Sequence, residues 1–398
     1  MKKVLATSAL GLVALGAHAQ SSVTLYGIVD TGIGYQSSQA ALGSNSGGRS
    51  AVKMVNGIWA GSRFGLKGSE DLGGGTKAIF QLEEGFNSAN GAQSVTGLAF
   101  NRQAYVGVSN ATFGSLTAGR QYTSYYTMLA PYSPTNWLTG AYGAHPGDID
   151  SLDTLYRANN SLVYTSPSMY GVTVSGSYSL GGVAGSLNAG STYSAGVQYI
   201  NGPIGLAAGF QRINNSTPGG GAWGADSTTS NAGAQAGVSG INNGYQTAQA
   251  QQRVAVTGGY TFSSSWDISF SYSNVQYIPG VNSKFRNEAI FNTGGLVLHY
   301  KPVTSLDLAA GYSYTRATES NGITSSASYN QFNLSQYYSL SKRTGLYALE
   351  AYQRANGKTL GTNGNIINAT ADIGDGQNGA PSSSQSQVAV GVGIIHRF

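Results

Sequence analysis

The 398-residue chain contains no cysteine, which excludes disulfides, thiolate metal sites and cysteine nucleophiles together. Charge is scarce too: Asp, Glu, Lys and Arg make up 9% of the residues, against about 25% in an average globular domain. Past the first twenty residues, no stretch approaches the ~20 consecutive apolar residues of a membrane helix. The formal charge is +5, but no Lys/Arg run accompanies it, so a nucleic-acid partner is not indicated. Proline is limited to 9 residues, too few for a proline-rich low-complexity chain.

The opening "MKKVLATSALGLVALGAHAQ" has two lysines, an apolar run of about a dozen residues and the small-x-small site Ala17-His18-Ala19. This predicts a secretory signal peptide over residues 1–19, with a mature chain from Gln20 to Phe398. Loss of Lys2 and Lys3 would lower the formal charge from +5 to +3, that is 5 − 2. Glycine contributes 58 residues and tyrosine 26. Three kinds of exported chain tolerate such a profile. A disordered chain is disfavoured by 11% aromatic residues. A soluble β-solenoid or adhesin and an outer-membrane β-barrel remain.

Periodicity separates these two. In "WDISFSYSNV", Trp266, Ile268, Phe270 and Tyr272 share one side and Asp267, Ser269, Ser271 and Ser273 the other. "LDLAAGYSY" sets Leu306, Leu308, Ala310, Tyr312 and Tyr314 against Asp307, Gly311 and Ser313. The terminal "QVAVGVGIIHRF" sets Val388, Val390, Val392, Ile394 and Phe398 against Gln387, Ala389, Gly391 and Gly393. A period of two means strands with one apolar face. The segments recur without a constant repeat, which weighs against a solenoid. Their joins alternate short and long. Seven short ones (Ser69–Thr76, Ser109–Gly114, Thr165–Gly171, Ile200–Gly205, Phe262–Trp266, Lys301–Ser305 and Leu340–Gly345) match periplasmic turns, while Gln36–Ala51, Tyr122–Tyr156, Asn214–Ala250 and Gly357–Gln385 match external loops. The predicted fold is an all-β transmembrane antiparallel barrel of about sixteen strands. Its last strand pairs with "SVTLYGIVDTGIGY", since an open edge in lipid leaves backbone groups unsatisfied. Phe398, with Tyr26, Tyr35, Tyr105, Tyr260, Tyr272 and Tyr300, is assigned to the interfacial girdles.

Few residues suggest chemistry. His145, His299 and His396 are scattered without metal-ligand spacing, and "EDLGGGT" lacks the Lys-Ser/Thr ending of a phosphate loop. No Ser-His pair or paired acid stands out for an outer-membrane hydrolase. Arg63, Arg102 and Arg157 enter strand patterns in lumen phase; Arg157 alternates with outward Leu162 and Tyr164, in step with Ser161. A charge facing lipid at mid-depth would cost ~2–4 kcal/mol. Glu83 is a carboxylate candidate for the same lumen. The long segment 122–156 carries Asp148, Asp150 and Asp153.

Taken together, "SSVTLYGIVDTGI", "SRFGLKGSEDLGGGTKA", "RQAYVGVSNATFGSLTAGRQY", "RANNSLVYTSP" and the terminal "HRF" resemble the general porins of the Gram-negative outer membrane, of beta-proteobacterial type. The resemblance covers the mature chain, most densely over Ser21–Pro167. It implies a sixteen-stranded homotrimer whose third external loop, here about residues 122–156, folds inward to form a constriction. It also implies an arginine cluster on the wall, here Arg63, Arg102 and Arg157 with the carboxylate Glu83, facing acids of that loop. Asp148, Asp150 and Asp153 are the candidates, because "PYSPTNWLTGAYGAHPGDID" departs from the "PEFGG" tip of some members.

The expected function is passive diffusion of small hydrophilic solutes and ions, with no cofactor or metal. Three arginines against one carboxylate predict mild anion preference; three pore-facing aspartates would bring it near neutral or reverse it. Expected partners are outer-membrane lipid and lipopolysaccharide, and the barrel-assembly machinery acting on the strand that ends in Phe398. The rivals are a substrate-selective channel, an outer-membrane enzyme and a soluble adhesin. No strong aromatic run lining the lumen is visible.

Overall fold

The structure, a computed structural model, describes residues 22–153, 156–224, 228, 238–376, 378–379 and 381–398. The expected signal peptide, residues 1–19, lies outside the described residues.

The main sheet contains 17 strand segments, each antiparallel to its neighbours. Two of them, Arg49–Asn56 and Arg63–Gly73, are halves of one strand: they pair with the upper and lower parts of Ser22–Gln39. The result is a closed barrel of sixteen strands. Its seam joins Ser22–Gln39 to Ser386–Arg397, in register from Ile28 opposite Arg397 to Gln36 opposite Ala389. Phe398 and Gly27 extend the seam by exchanging two backbone hydrogen bonds of 3.1 Å.

Alternation along each strand sorts the two faces as its period demands. In Trp266–Ile278, Trp266, Phe270 and Tyr272 are exposed outward, while Ser269, Ser271 and Ser273 are buried inside. All seven short joins fall at one end of the barrel. One of them, Gly73-Gly74-Gly75, holds three consecutive positive φ values of 85, 60 and 76°, a conformation that only glycine adopts cheaply. Asp71 Oδ1 fastens it by accepting from Gly73 N at 2.8 Å.

Two girdle assignments are corrected. Tyr26 and Tyr105 point into the lumen, where Tyr26 donates to Glu83 at 2.9 Å and Tyr105 to Gln81 at 2.9 Å. Register explains both: Tyr26 pairs with Gly65, two residues from Arg63, and Tyr105 pairs with Gln81, two residues from Glu83. Both tyrosines are therefore in phase with the inward charges. Tyr35, Tyr260 and Tyr272 are exposed outward, and Tyr300 stacks on outward-facing Trp266 at 4.1 Å.

The wall is uneven. Gln103–Asn110, Gly114–Gln121, Ala158–Thr165 and Val172–Ser179 are 8 residues each, whereas Ala289–Val303 has 15. At ~3.3 Å per residue and a tilt near 40°, eight residues rise only about 20 Å, less than the ~25 Å apolar band of such barrels.

Three irregular segments fill the lumen. The interruption at residues 57–62 is fixed by buried Asp30: its Oδ2 accepts from the backbone N of Trp59 at 2.9 Å and of Ala60 at 2.8 Å, and its Oδ1 from the Tyr347 hydroxyl. The third loop starts with the helix Ser124–Leu129, which buries Tyr125 and Leu129 against Ala207 and Ala255 of the wall. Gly196 admits this helix, since a Cβ there would stand 2.8 Å from Met128. The last loop dips inward around Asp372, whose N donates to Gln353 Oε1 at 2.7 Å. The three segments touch: Ala141 N of the third loop donates to Ile58 O at 2.7 Å, and Gly147 N donates to Asp372 O at 3.2 Å.

Candidate pore constriction

The wall arginines all stand where a short strand, or half-strand, begins at the level of the inserted loop. Arg63 opens the second half of the interrupted strand, and Arg102 immediately precedes Gln103–Asn110. Arg157 immediately precedes Ala158–Thr165. With Glu83 they line one cavity of about 450 Å³, closed on the other side by Asp153 and Asp375.

The guanidiniums differ in how far they are neutralised. Arg102 pairs with Glu83 at 2.7 Å through Nε and donates to the Tyr122 hydroxyl at 3.0 Å through Nη2. Arg157 donates to the same hydroxyl and lies 4.3 Å from the Tyr122 ring centroid, a cation–π geometry. Tyr122 in turn stacks on Tyr126 at 4.7 Å. The Arg63 guanidinium lines the cavity with no hydrogen bond or ion pair to the described residues, which leaves it for whatever passes. Three positive groups thus face one wall carboxylate.

Of the three loop aspartates, the structure brings only Asp153 to the cavity. Asp148 is buried behind it, and its Oδ1 accepts from Asp153 N at 3.0 Å. Asp150 faces the opposite wall: its Oδ2 lies 2.6 Å from His145 Nδ1 and accepts from Ser273 Oγ at 2.6 Å. The two turn away because the chain doubles back on itself at residues 145–151, with positive φ at Gly147, Asp148 and Ser151. The second acid of the cavity, Asp375, comes from the last loop and hydrogen-bonds to Asp153.

Burial, reinforced by repulsion from Asp375 and a shared hydrogen bond with it, pushes the Asp153 carboxyl well above the usual carboxylate range. Burial likewise raises Asp148, with repulsion from Asp153 and Asp150, and lifts Asp372 to about 7. Burial alone would raise Asp150 as well, but His145 and the hydrogen bond from Ser273 hold it below the usual range. An Asp153 carboxyl that gives up its proton reluctantly leaves the cavity more cationic than a formal count suggests.

His145 Nε2 also lies 3.0 Å from Ser271 Oγ. Ser271, His145 and Asp150 therefore share the connectivity of a hydrolase triad. They are 5%, 2% and 0% exposed, and Ser271 sits mid-strand, paired with Thr257 and Gly295. A substrate has no approach to the hydroxyl, and that strand's own N–H groups belong to the ladder. The chain of bonds fastens the loop to the wall. The sequence hid it, because His145 and Ser271 lie 126 positions apart. Trp59, Tyr26 and Asp375 were likewise not anticipated at the constriction. Of these, Trp59 alone had a signal: the "NG" at Asn56-Gly57 inside a strand pattern is a break marker.

A closed barrel with three guanidiniums lining an internal cavity has the architecture of a channel. This chain belongs to the Gram-negative porin family: the family's sequence model matches residues 6–359. Outer membrane porin protein 32 of Delftia acidovorans is 30% identical over 415 aligned residues, covering 100% of both chains. An outer membrane porin protein of Bordetella pertussis is 35% identical over 237 residues, which span 54% of this chain and only 60% of that relative. Among solved structures, an anion-selective porin from Comamonas acidovorans superposes with a TM-score of 0.69 at 23% identity, covering 95% of this chain and 100% of that one. The protein is accordingly a β-barrel channel of the outer membrane.

The acids give a definite pH sign. Asp153 is neutral at low pH and ionises as the pH rises through its elevated pKa, so anion preference should fall as pH rises. Reversal potentials across a salt gradient, measured from pH 5 to pH 9, should show this decline, and Asp153→Asn should flatten it. The fastening is testable separately. His145→Ala removes one partner of a buried pair, a change that typically costs ~3–5 kcal/mol. It should loosen the third loop and raise single-channel conductance while the barrel still migrates as a heat-modifiable band.

Proposed function

We propose that the protein is a homotrimeric diffusion pore with mild anion preference, passing small hydrophilic solutes and ions without turnover. The observation that carries this reading is the cavity shared by Arg63, Arg102 and Arg157, in which Glu83 offsets one charge and Arg63 is unpaired among the described residues. Like charges crowded at a narrowing repel each other, and an entering anion relieves that repulsion. The Comamonas acidovorans porin that shares the fold is described as anion-selective, which supports the same sign here. The buried triad-like cluster serves as a loop fastening and catalyses nothing in this reading.

The low wall supports the trimer. Four strands of 8 residues leave part of the apolar band unspanned, and a neighbouring copy is the cheapest cover. On the remaining perimeter, the outward Val, Leu and aromatic side chains meet lipid and lipopolysaccharide. The strand ending in Phe398, placed last at the seam, is the segment offered to the barrel-assembly machinery.

A planar-bilayer recording tests the filter. Wild type should give large conductance steps and an anion-selective reversal potential. A unit charge ~4 Å from an ion in water changes its energy by about 1 kcal/mol, or roughly fivefold in local concentration. Arg63→Gln should therefore lower the anion-to-cation ratio several-fold, and neutralising Arg102 and Arg157 as well should abolish the preference. Unchanged selectivity in the triple variant would contradict the assignment.

A further inference from the structure

The interruption at residues 57–62 places a tryptophan inside the barrel, at the level of the wall arginines. Trp59 lines the 450 Å³ cavity of the arginines. It also lines a second cavity of about 760 Å³, bounded by Tyr337, Lys342, Arg397 and Asp307 and opening toward the short turns; the Asp307 carboxylate is itself paired with Lys301 at 3.1 Å. Trp59 is the residue common to both linings, so the indole stands between them.

The ring is held in place. Its backbone N and that of Ala60 are pinned by buried Asp30 at 2.9 and 2.8 Å. Its π-system packs on Tyr337 at 4.7 Å with planes 32° apart, and on Tyr347 at 5.6 Å with planes 29° apart. Cations stand on both sides: Arg63 above, and Lys342 and Arg397 below. Arg397 is oriented by donating to the Tyr337 hydroxyl at 3.1 Å.

A fixed aromatic surface between two cationic groups matches an anion that itself carries a flat π-face. We propose that Trp59 is a stacking platform for aromatic carboxylates of the benzoate type, which hand their carboxylate from Arg63 to the lower cations while the ring slides over the indole. An aliphatic carboxylate of the same charge uses the cations alone. Offset stacking adds a few-fold to roughly tenfold in occupancy beyond burial, enough for selectivity in transit without trapping the solute. This rests on the anion-pore reading and names a solute class within it.

The test compares benzoate with cyclohexanecarboxylate, equal in charge and nearly equal in size but without a π-face, as blockers of chloride current through single channels. Benzoate should reduce the current saturably, with half-block at a concentration about fivefold lower than its saturated counterpart. Trp59→Leu should erase that difference, and Trp59→Phe should retain part of it. Equal block by the two acids in the wild type would overturn the proposal, as would a difference that survives Trp59→Leu. If Trp59→Leu forms no channels, the wild-type comparison and Trp59→Phe decide. A cation-selective reversal potential in the wild type would instead strike the underlying anion-pore reading, so the two failures are distinguishable.

Discussion

Every N–H and C=O that meets the membrane must find a partner within the protein, because lipid offers none. Sixteen antiparallel strands satisfy this only when the first meets the last, and Ser22–Gln39 and Ser386–Arg397 do so from Ile28–Arg397 to Gln36–Ala389. The two bonds between Gly27 and Phe398 carry the seam to the final residue. Closure fixes the direction of each side chain, and the alternation follows: apolar outward, small or polar inward.

Closure also leaves a lumen that the strands alone cannot shape. Three irregular segments enter it, and each is tethered by a buried aspartate. Asp30 pins residues 57–62, and Asp150, through His145 and Ser273, fastens the third loop. Asp372 ties the last loop to the other elements, with its Oδ2 accepting from Gly240 N at 2.6 Å and its O from Gly147 N at 3.2 Å. A buried carboxylate accepting several hydrogen bonds is costly to form but holds its donors in one geometry. The charges on the wall keep a defined opposite side because the loops that face them are held in this way.

Much of the barrel was legible in the sequence, because a period of two with alternating short and long joins fits few architectures besides a closed barrel. The seven short turns fall where their Gly, Ser, Asn and Pro clusters place them. Arg63 and Arg157 were legible because a charge in strand phase has only one cheap direction, whereas Arg102, expected to alternate away from Gln103 and Tyr105, shares the lumen with both because it stands just before its strand begins. Less readable was anything depending on contacts between distant segments. Tyr26 and Tyr105 look like girdle residues until register puts them beside Glu83 and Gln81. Asp148 and Asp150 share a loop with Asp153, yet three positive φ values turn them elsewhere. Trp59 and Asp375 reach the constriction only because one strand breaks and another loop folds in. Aromatic residues converging from separate segments leave no run to read.

The absence of cysteine makes the chain suited to a direct probe of its lumen. Gln103 lines the constriction cavity beside Arg102, and Gln103→Cys would introduce a single thiol there. The measurement is the rate at which that thiol reacts with an anionic and with a cationic methanethiosulfonate of similar size, followed as a drop in single-channel current. A lumen dominated by Arg63, Arg102 and Arg157 predicts several-fold faster reaction with the anionic reagent. Faster reaction with the cationic reagent, or no reaction with either in a conducting channel, would contradict it.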